Sequence, residues 1–107
     1  MVENLPSEET LSAVFDDTKF LPSAQALATP TSFERISLVR ANYTLASHNG
    51  PRPEDSGLRQ YALRVFLEEL EGFDLVLIDC PPNLYQCSWT AMLAADFVVI
   101  PIPPEES

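Results

Sequence analysis

The sequence is short of basic residues, and this scarcity excludes two classes of function. Its 107 residues include six lysines and arginines against 16 aspartates and glutamates, which gives a net charge of −10. A surface this acidic repels nucleic-acid phosphates and anionic lipids. We therefore do not expect the chain itself to bind DNA or a membrane surface. The simplest role of the acidity is to keep a small domain soluble.

Cysteine and histidine are also scarce, which argues against a disulfide framework and a zinc site. The two cysteines, Cys80 and Cys87, form no Cys-x-x-Cys pair, and zinc sites need clustered ligands. The single histidine, His48, lies in a segment rich in glycine and proline. We expect it to be a solvated loop residue rather than a catalytic base.

Long apolar runs are missing as well. No segment approaches the ~20 apolar residues of a membrane-spanning helix. The first four residues have neither the basic charge nor the apolar run of a signal peptide. We therefore expect a cytoplasmic, reducing environment. The length suits one small domain, and we expect residues 1–107 to form it.

The second half of the chain has the clearest secondary-structure pattern. Apolar residues at helical spacing predict a helix that starts at Gly57 and stops at Gly72. The unbroken apolar run Leu75–Ile78 predicts a strand covered on both faces. Residues 84–95 then predict a crossover helix, and Phe97–Ile100 predicts a second buried strand. This alternation predicts an α/β fold with a parallel sheet.

The first half gives weaker signals. Ser7 is placed to cap a first short helix, because two glutamates follow it in the first turn. Two prolines bracket a second helical stretch at residues 24–28, and Ile36–Val39 predicts a short strand. Residues 47–56 contain glycine and proline and predict a loop.

Asp79 is the residue whose position most suggests chemistry. It directly follows the apolar run Leu75–Ile78, where a buried, unpaired carboxylate is strongly destabilising. A carboxylate is tolerated there if it emerges at the carboxyl edge of the sheet, where open α/β folds bind ligands. In phosphoryl-transfer enzymes such an aspartate holds magnesium. The alternative is an aspartate that caps the turn at residues 80–83, and the spacing favours neither role.

Residues 73–82 (FDLVLIDCPP) resemble the Walker B region of the ParA/MinD/Soj partition ATPases. Later and earlier segments also resemble parts of that family, in the same order. These segments are residues 90–96, 97–101, 104–105, 10–15 and 36–42. The resemblance is strongest over residues 58–105 and corresponds to the middle portion of the family.

This resemblance implies a partial three-layer α/β fold with a parallel sheet, of the P-loop NTPase type. The family uses ATP and magnesium, and couples ATP-dependent dimerisation and DNA binding to plasmid or chromosome segregation. Asp79 would be the outer-shell magnesium ligand. Pro81, Pro82 and Asn83 would form the switch segment that senses the γ-phosphate, if a P-loop is supplied elsewhere. The partners implied are a second copy, a full-length ParA-like ATPase or a ParB-like protein.

The family's phosphate-binding loop has no counterpart in this sequence. The KGGxGK[ST] run and the neighbouring DxDpQ segment are both absent. The three glycines are not spaced to cradle a phosphate, and Lys19, the single lysine, lies outside any glycine-rich loop. A P-loop works by pointing backbone N–H groups and a lysine at the phosphates. We therefore expect this chain alone to contain no catalytic residue, and to bind ATP feebly or not at all.

The family fold also implies that the P-loop strand lies between the Walker B strand and the strand that follows it. Without that strand, Leu75–Asp79 and Phe97–Pro101 flank a vacant slot. They must then close on each other or present open edges to a partner. We expect the chain alone to be marginally stable, or to associate with itself or with a full-length relative.

Two other functions fit parts of the sequence. A non-catalytic interaction module would use open sheet edges or the acidic surface to bind a partner. An amino-methyltransferase would carry a strand-terminal D/N-P-P-Y/W turn. Here Cys80 separates Asp79 from the prolines and Asn83 replaces the aromatic residue, so the interaction module is the stronger alternative.

Overall fold

The structure is a computed structural model that describes residues 5–16 and 23–104. This part of the chain forms short helices and one two-stranded sheet. The helices are α1 (Ser12–Phe15), α2 (Ala24–Leu27), α3 (Leu45–His48), α4 (Ala62–Glu68) and α5 (Gln86–Ala94). The strands are β1 (Ala28–Pro30) and β2 (Ser37–Val39), and 3-10 turns lie at Ser7–Glu9, Pro53–Asp55 and Gly57–Tyr61.

The two helices predicted in the second half are confirmed, with shifted ends. The first starts as the 3-10 turn Gly57–Tyr61 and continues as α4. It ends before Gly72, whose φ of +84° is a left-handed conformation that glycine adopts readily. The second helix, α5, begins at Gln86 because the Asn83 side chain first forms a local turn. Its Oδ1 atom accepts a hydrogen bond from the Tyr85 N–H at 3.0 Å.

The predictions for the first half are met in part. The helix at α2 and the strand at β2 are confirmed. Ser7 is not a helix cap, since it is the first residue of a 3-10 turn that Pro6 precedes. Thr10 organises the start of α1 instead, because its hydroxyl donates to the Ser7 carbonyl at 3.0 Å and accepts from the Ser12 N–H at 3.3 Å. The predicted loop at 47–56 contains the end of α3 and a 3-10 turn.

The core lies where α1, α2, α4 and α5 meet. Phe66 and Leu63 lie on the buried face of α4 and belong to one contiguous cluster of buried apolar side chains. The other members are Val14, Phe15, Ala24, Leu27 and Ala91. Burial of a phenylalanine or leucine contributes roughly 1.5–3 kcal/mol. A cluster this small makes the stability of the folded chain depend on each large member.

A buried amide joins the N-terminal segment to the chain after β2. The Asn42 Nδ2 atom donates to the Leu5 carbonyl at 2.8 Å and to Ser7 Oγ at 3.1 Å. The Ser12 hydroxyl donates to Asn42 Oδ1 at 2.5 Å. Asn42 is buried, so these bonds replace the water that its amide would otherwise bind.

Replacing Asn42 with alanine should lower the free energy of unfolding by about 2–3 kcal/mol, because it leaves buried partners without a hydrogen bond. Urea denaturation followed by circular dichroism measures this loss. Asn49→Ala is the matched control, since Asn49 Oδ1 accepts one bond, from the Cys87 N–H at 2.9 Å, in a half-buried site. We expect about 1 kcal/mol there. Equal losses in the two variants would contradict the bridging role of Asn42.

The predicted parallel sheet is not present among the described residues. The ladder there is antiparallel, with Ala28 opposite Val39 and Pro30 opposite Ser37. The segments predicted as buried strands, Leu75–Asp79 and Phe97–Pro101, join no ladder and are largely exposed. A strand needs a hydrogen-bonded neighbour and a layer to cover its face. The chain therefore has α/β composition, but these two segments lack the neighbour that would make them a sheet.

No helix in the part of the chain that the structure describes has the length and apolar character needed to cross a bilayer.

Candidate functional site

Asp79 lines a cavity of about 340 Å³ that lies between α1, α3, α4 and the turn at residues 80–83. Most of the wall is apolar, and the other polar side chains on it are those of Asn42, Tyr43, Asn49 and Cys87. A larger hollow of about 420 Å³ near Val14 is lined by no carboxylate. The cavity at Asp79 is therefore the one with the groups to bind a cation, since oxygen ligands suit magnesium.

The Asp79 carboxylate is available to a ligand. It is exposed, and it makes no hydrogen bond or ion pair with the residues that the structure describes. The turn that follows is closed without it, by the Asn83 N–H, which donates to the Pro81 carbonyl at 2.9 Å. Asp79 is therefore not the cap of this turn, and the alternative role considered for it from the sequence is wrong.

The structure brings together only some of the predicted switch residues. Pro81 is half-buried and shares the cavity wall with Asp79. Pro82 is exposed, and Asn83 is half-buried, and neither lines the cavity. Asn83 instead holds the local turn before α5 through its bond to the Tyr85 N–H.

His48 differs from its prediction. It is the last residue of α3 rather than part of an open loop, and it is half-buried. Its ring stacks on Phe15 with 6.2 Å between the ring centroids. Because Phe15 lines the cavity, His48 supports the wall from behind. The prediction that it is not a general base stays a prediction.

Neither of the two thiols near the site has a lowered pKa. Burial raises the pKa of Cys80, and the negative charge of Asp79 raises it further. Burial also raises the pKa of Cys87, with a smaller contribution from Cys80. A reactive cysteine needs an electropositive setting that lowers its pKa. Cys80 is exposed.

The cavity wall offers one carboxylate, that of Asp79, to a magnesium ion. A Cβ atom added at Gly50, Gly57 or Gly72 would meet nothing within 4 Å, so no close packing within the described structure requires glycine at these positions. Within the described ranges, no group of three or more His, Cys, Asp or Glu residues is placed to hold a metal. A lone carboxylate can hold magnesium only together with waters or phosphate oxygens.

Asn42, Tyr43 and Asn49 are cavity residues that we did not predict as site residues from the sequence. The available signal was weak. Asn42 and Tyr43 follow β2 closely, and polar residues after a strand often lie at a ligand edge. Asn49 had no such signal, because its place depends on a bond to the Cys87 N–H, 38 positions along the chain.

Comparison with known proteins decides the family. A family model described as an AAA domain matches residues 3–107. The chromosome-partitioning ATPase Soj from Thermus thermophilus is 48% identical over 44 residues, which is 41% of this chain and 17% of that protein. This chain belongs to the ParA/MinD-like partition ATPase family. The family resemblance seen in the sequence is thereby confirmed.

A second relative of this ParA/MinD-like chain matches more of its length. "Putative replication protein A" from Sinorhizobium fredii is 30% identical over 100 residues, which is 85% of this chain and 24% of that protein. The chain thus spans about a quarter or less of the length of these curated relatives. No solved structure matches the chain.

Proposed function

We propose that this chain supplies the magnesium side and two sheet strands of a ParA-like partition ATPase that acts in plasmid or chromosome segregation. We also propose that the chain has no ATPase activity by itself. The observation that supports the proposal best is the exposure of two apolar segments next to Asp79 and before Pro101. The relatives named Soj and replication protein A support the biological role.

The two apolar segments expose side chains that folding normally buries. Leu77 is 85% exposed and Val99 is 87% exposed. Their neighbours in the same segments are also exposed, namely Leu75, Val76, Phe97, Val98 and Ile100, and so is Ile102 just beyond Pro101. Contiguous apolar surface of this kind marks an interaction site on a protein that is otherwise soluble.

The backbone of these segments is also unsatisfied by the rest of the described chain. Residues 75–77 and 97–102 take part in no hydrogen bond with the described residues. Unpaired N–H and C=O groups beside apolar side chains are a template for strand addition. We propose that a strand supplied by another segment pairs in parallel with both, in the slot that the family gives to its P-loop strand.

A non-catalytic interaction module is the second candidate function. The missing KGGxGK run favours it, because strand pairing alone needs no nucleotide. In that case the partner would be a second copy or a full-length relative, and Asp79 would have no chemical role.

The chain alone should give no measurable heat with ATP and magnesium at micromolar concentrations. The physical reason is that Asp79 can hold the cation but nothing holds the triphosphate. Isothermal titration calorimetry checks this. Asp74→Ala is the matched control for Asp79→Ala, since Asp74 is exposed and does not line the cavity. Micromolar affinity that disappears in Asp79→Ala but persists in Asp74→Ala would overturn the proposed inactivity.

A mixing experiment separates the two candidate functions. The chain is added to the full-length partition ATPase of Thermus thermophilus, and ATPase rate and dimerisation are measured. If the chain supplies a magnesium ligand, the Asp79→Ala chain should change the ATPase rate about tenfold less than the wild-type chain does, or less still. A loss of this size is typical when a contact that supports a metal site is removed. An effect that Asp79→Ala leaves unchanged would support the interaction module, and no effect at all would contradict both candidates.

A further inference from the structure

The turn between Asp79 and α5 brings together the two chain segments that carry the cysteines. The Ser88 hydroxyl donates to the Pro81 carbonyl at 3.1 Å. Ser88 adjoins Cys87 in α5, and Pro81 adjoins Cys80. This bond therefore holds together the two chain segments that carry the thiols.

Other contacts support the same geometry. The chain reverses tightly after Cys80, because the Asn83 N–H donates to the Pro81 carbonyl at 2.9 Å. Cys87 is fixed from the other side, since its N–H donates to Asn49 Oδ1 at 2.9 Å. Pro81 and Cys87 line the same cavity.

We propose that Cys80 and Cys87 form a reversible intramolecular disulfide that ties the Asp79 turn to the first turn of α5. A disulfide requires Cα atoms about 4.4–6.8 Å apart, and the short loop of residues 81–86 is pinned at its base by the Ser88 bond. Such a bond differs from the permanent disulfides of secreted proteins, because it forms and breaks with the redox state of its surroundings. It would hold one wall of the cavity beside Asp79 in a single conformation.

The reaction with oxidised glutathione is balanced in two steps. The Cys80 thiol is exposed, so it loses its proton to water and its sulfur attacks one glutathione sulfur. This forms a mixed disulfide and releases one reduced glutathione. The half-buried Cys87 then loses its proton, and its sulfur attacks the Cys80 sulfur and releases the second glutathione. Two cysteine thiols are oxidised by two electrons, and one glutathione disulfide is reduced to two thiols.

Intact-mass spectrometry of the full chain in glutathione redox buffers, after acid quenching, tests the proposal. The wild-type mass should fall by that of two hydrogen atoms, with no retained glutathione at equilibrium. Cys80→Ser and Cys87→Ser should each show only a glutathione adduct. A wild-type chain that accumulates glutathione adducts, or that forms disulfide-linked dimers at low concentration, would overturn the proposal.

Ser88→Ala tests the geometric basis. Without its hydroxyl the two segments are no longer pinned, so the equilibrium constant for the disulfide should fall about three- to tenfold, the scale of one hydrogen bond. Ser47→Ala is the matched control, because the Ser47 hydroxyl donates to the Thr44 carbonyl at 2.6 Å within its own turn. An unchanged constant in Ser88→Ala, or an equal fall in Ser47→Ala, would contradict the role assigned to the Ser88 bond.

Discussion

Replacing Phe66 with alanine should abolish the folded state of the isolated chain. Phe66 is 2% exposed and lies in the buried cluster of α1, α2, α4 and α5. Removing a buried phenylalanine costs about 3–5 kcal/mol, because it loses apolar burial and leaves a cavity. Small domains are stable by only about 5–15 kcal/mol. This chain should lie at or below the lower end of that range, since two of its apolar segments contribute little burial.

The matched control is Val65→Ala on the same helix. Val65 is 49% exposed and belongs to no buried cluster, so its truncation should cost less than about 1 kcal/mol. Circular dichroism during urea unfolding measures both variants. The prediction is that Phe66→Ala shows no cooperative transition, whereas Val65→Ala unfolds close to the wild-type midpoint. Similar midpoints for the two variants would show that the helical cluster is not the core.

The wild-type chain should self-associate, and the double variant Leu77→Lys, Val99→Lys should remain monomeric. Each wild-type side chain gains roughly 1.5–3 kcal/mol on burial. Losing both should weaken association by about a hundredfold or more, with charge repulsion between the added lysines in addition. Sedimentation velocity over a range of concentrations measures the change.

Leu58→Lys is the control for that experiment. Leu58 is 88% exposed, as much as Leu77 and Val99, but it lies in the 3-10 turn before α4 rather than in either apolar segment. Its substitution adds the same charge and should leave association unchanged. A monodisperse wild-type monomer with a cooperative melt well above room temperature would contradict the prediction. Equal effects of Leu58→Lys would show that association is non-specific.

The helices could be predicted because their signals are local. In α4 the apolar spacing specifies the buried face at Leu63 and Phe66, whatever packs against it. Asn83 and Gly72 act within a few residues of their own positions, so turns and helix ends follow from short stretches of sequence. The shifts of one or two residues at α5 are the usual uncertainty of helix ends.

The strands could not be predicted in the same way, because a strand depends on a neighbour that is distant in sequence. Leu75–Ile78 and Phe97–Ile100 have the composition of buried parallel strands, yet they remain exposed. Apolar composition states what a segment will bury if a neighbour is present. It does not supply the neighbour. These two segments thus show the strongest resemblance to the family, and they are also where the fold differs most from the prediction.

The candidate site could likewise be predicted only where its signal is local. Asp79 could be singled out because a carboxylate directly after an apolar run is unusual, and the structure places it on a cavity wall. The other polar residues of that wall are held by contacts with segments that are distant in sequence. Asn42 reaches the N-terminal segment, and Asn49 reaches α5. Contacts between residues more than 30 positions apart cannot be read from one sequence without an alignment.

Hydrogen exchange of the backbone amides in residues 75–78 and 97–100 tests the central claim most directly. The measurement compares the chain alone with the chain mixed with a relative's segment that carries the KGGxGK loop and the strand before it. We predict near-unprotected exchange in the chain alone at dilutions at which it is monomeric, and protection that rises about a hundredfold or more on mixing. Amides of α4 should change little. Strong protection of both segments in the monomeric chain, or no gain on mixing, would contradict the account.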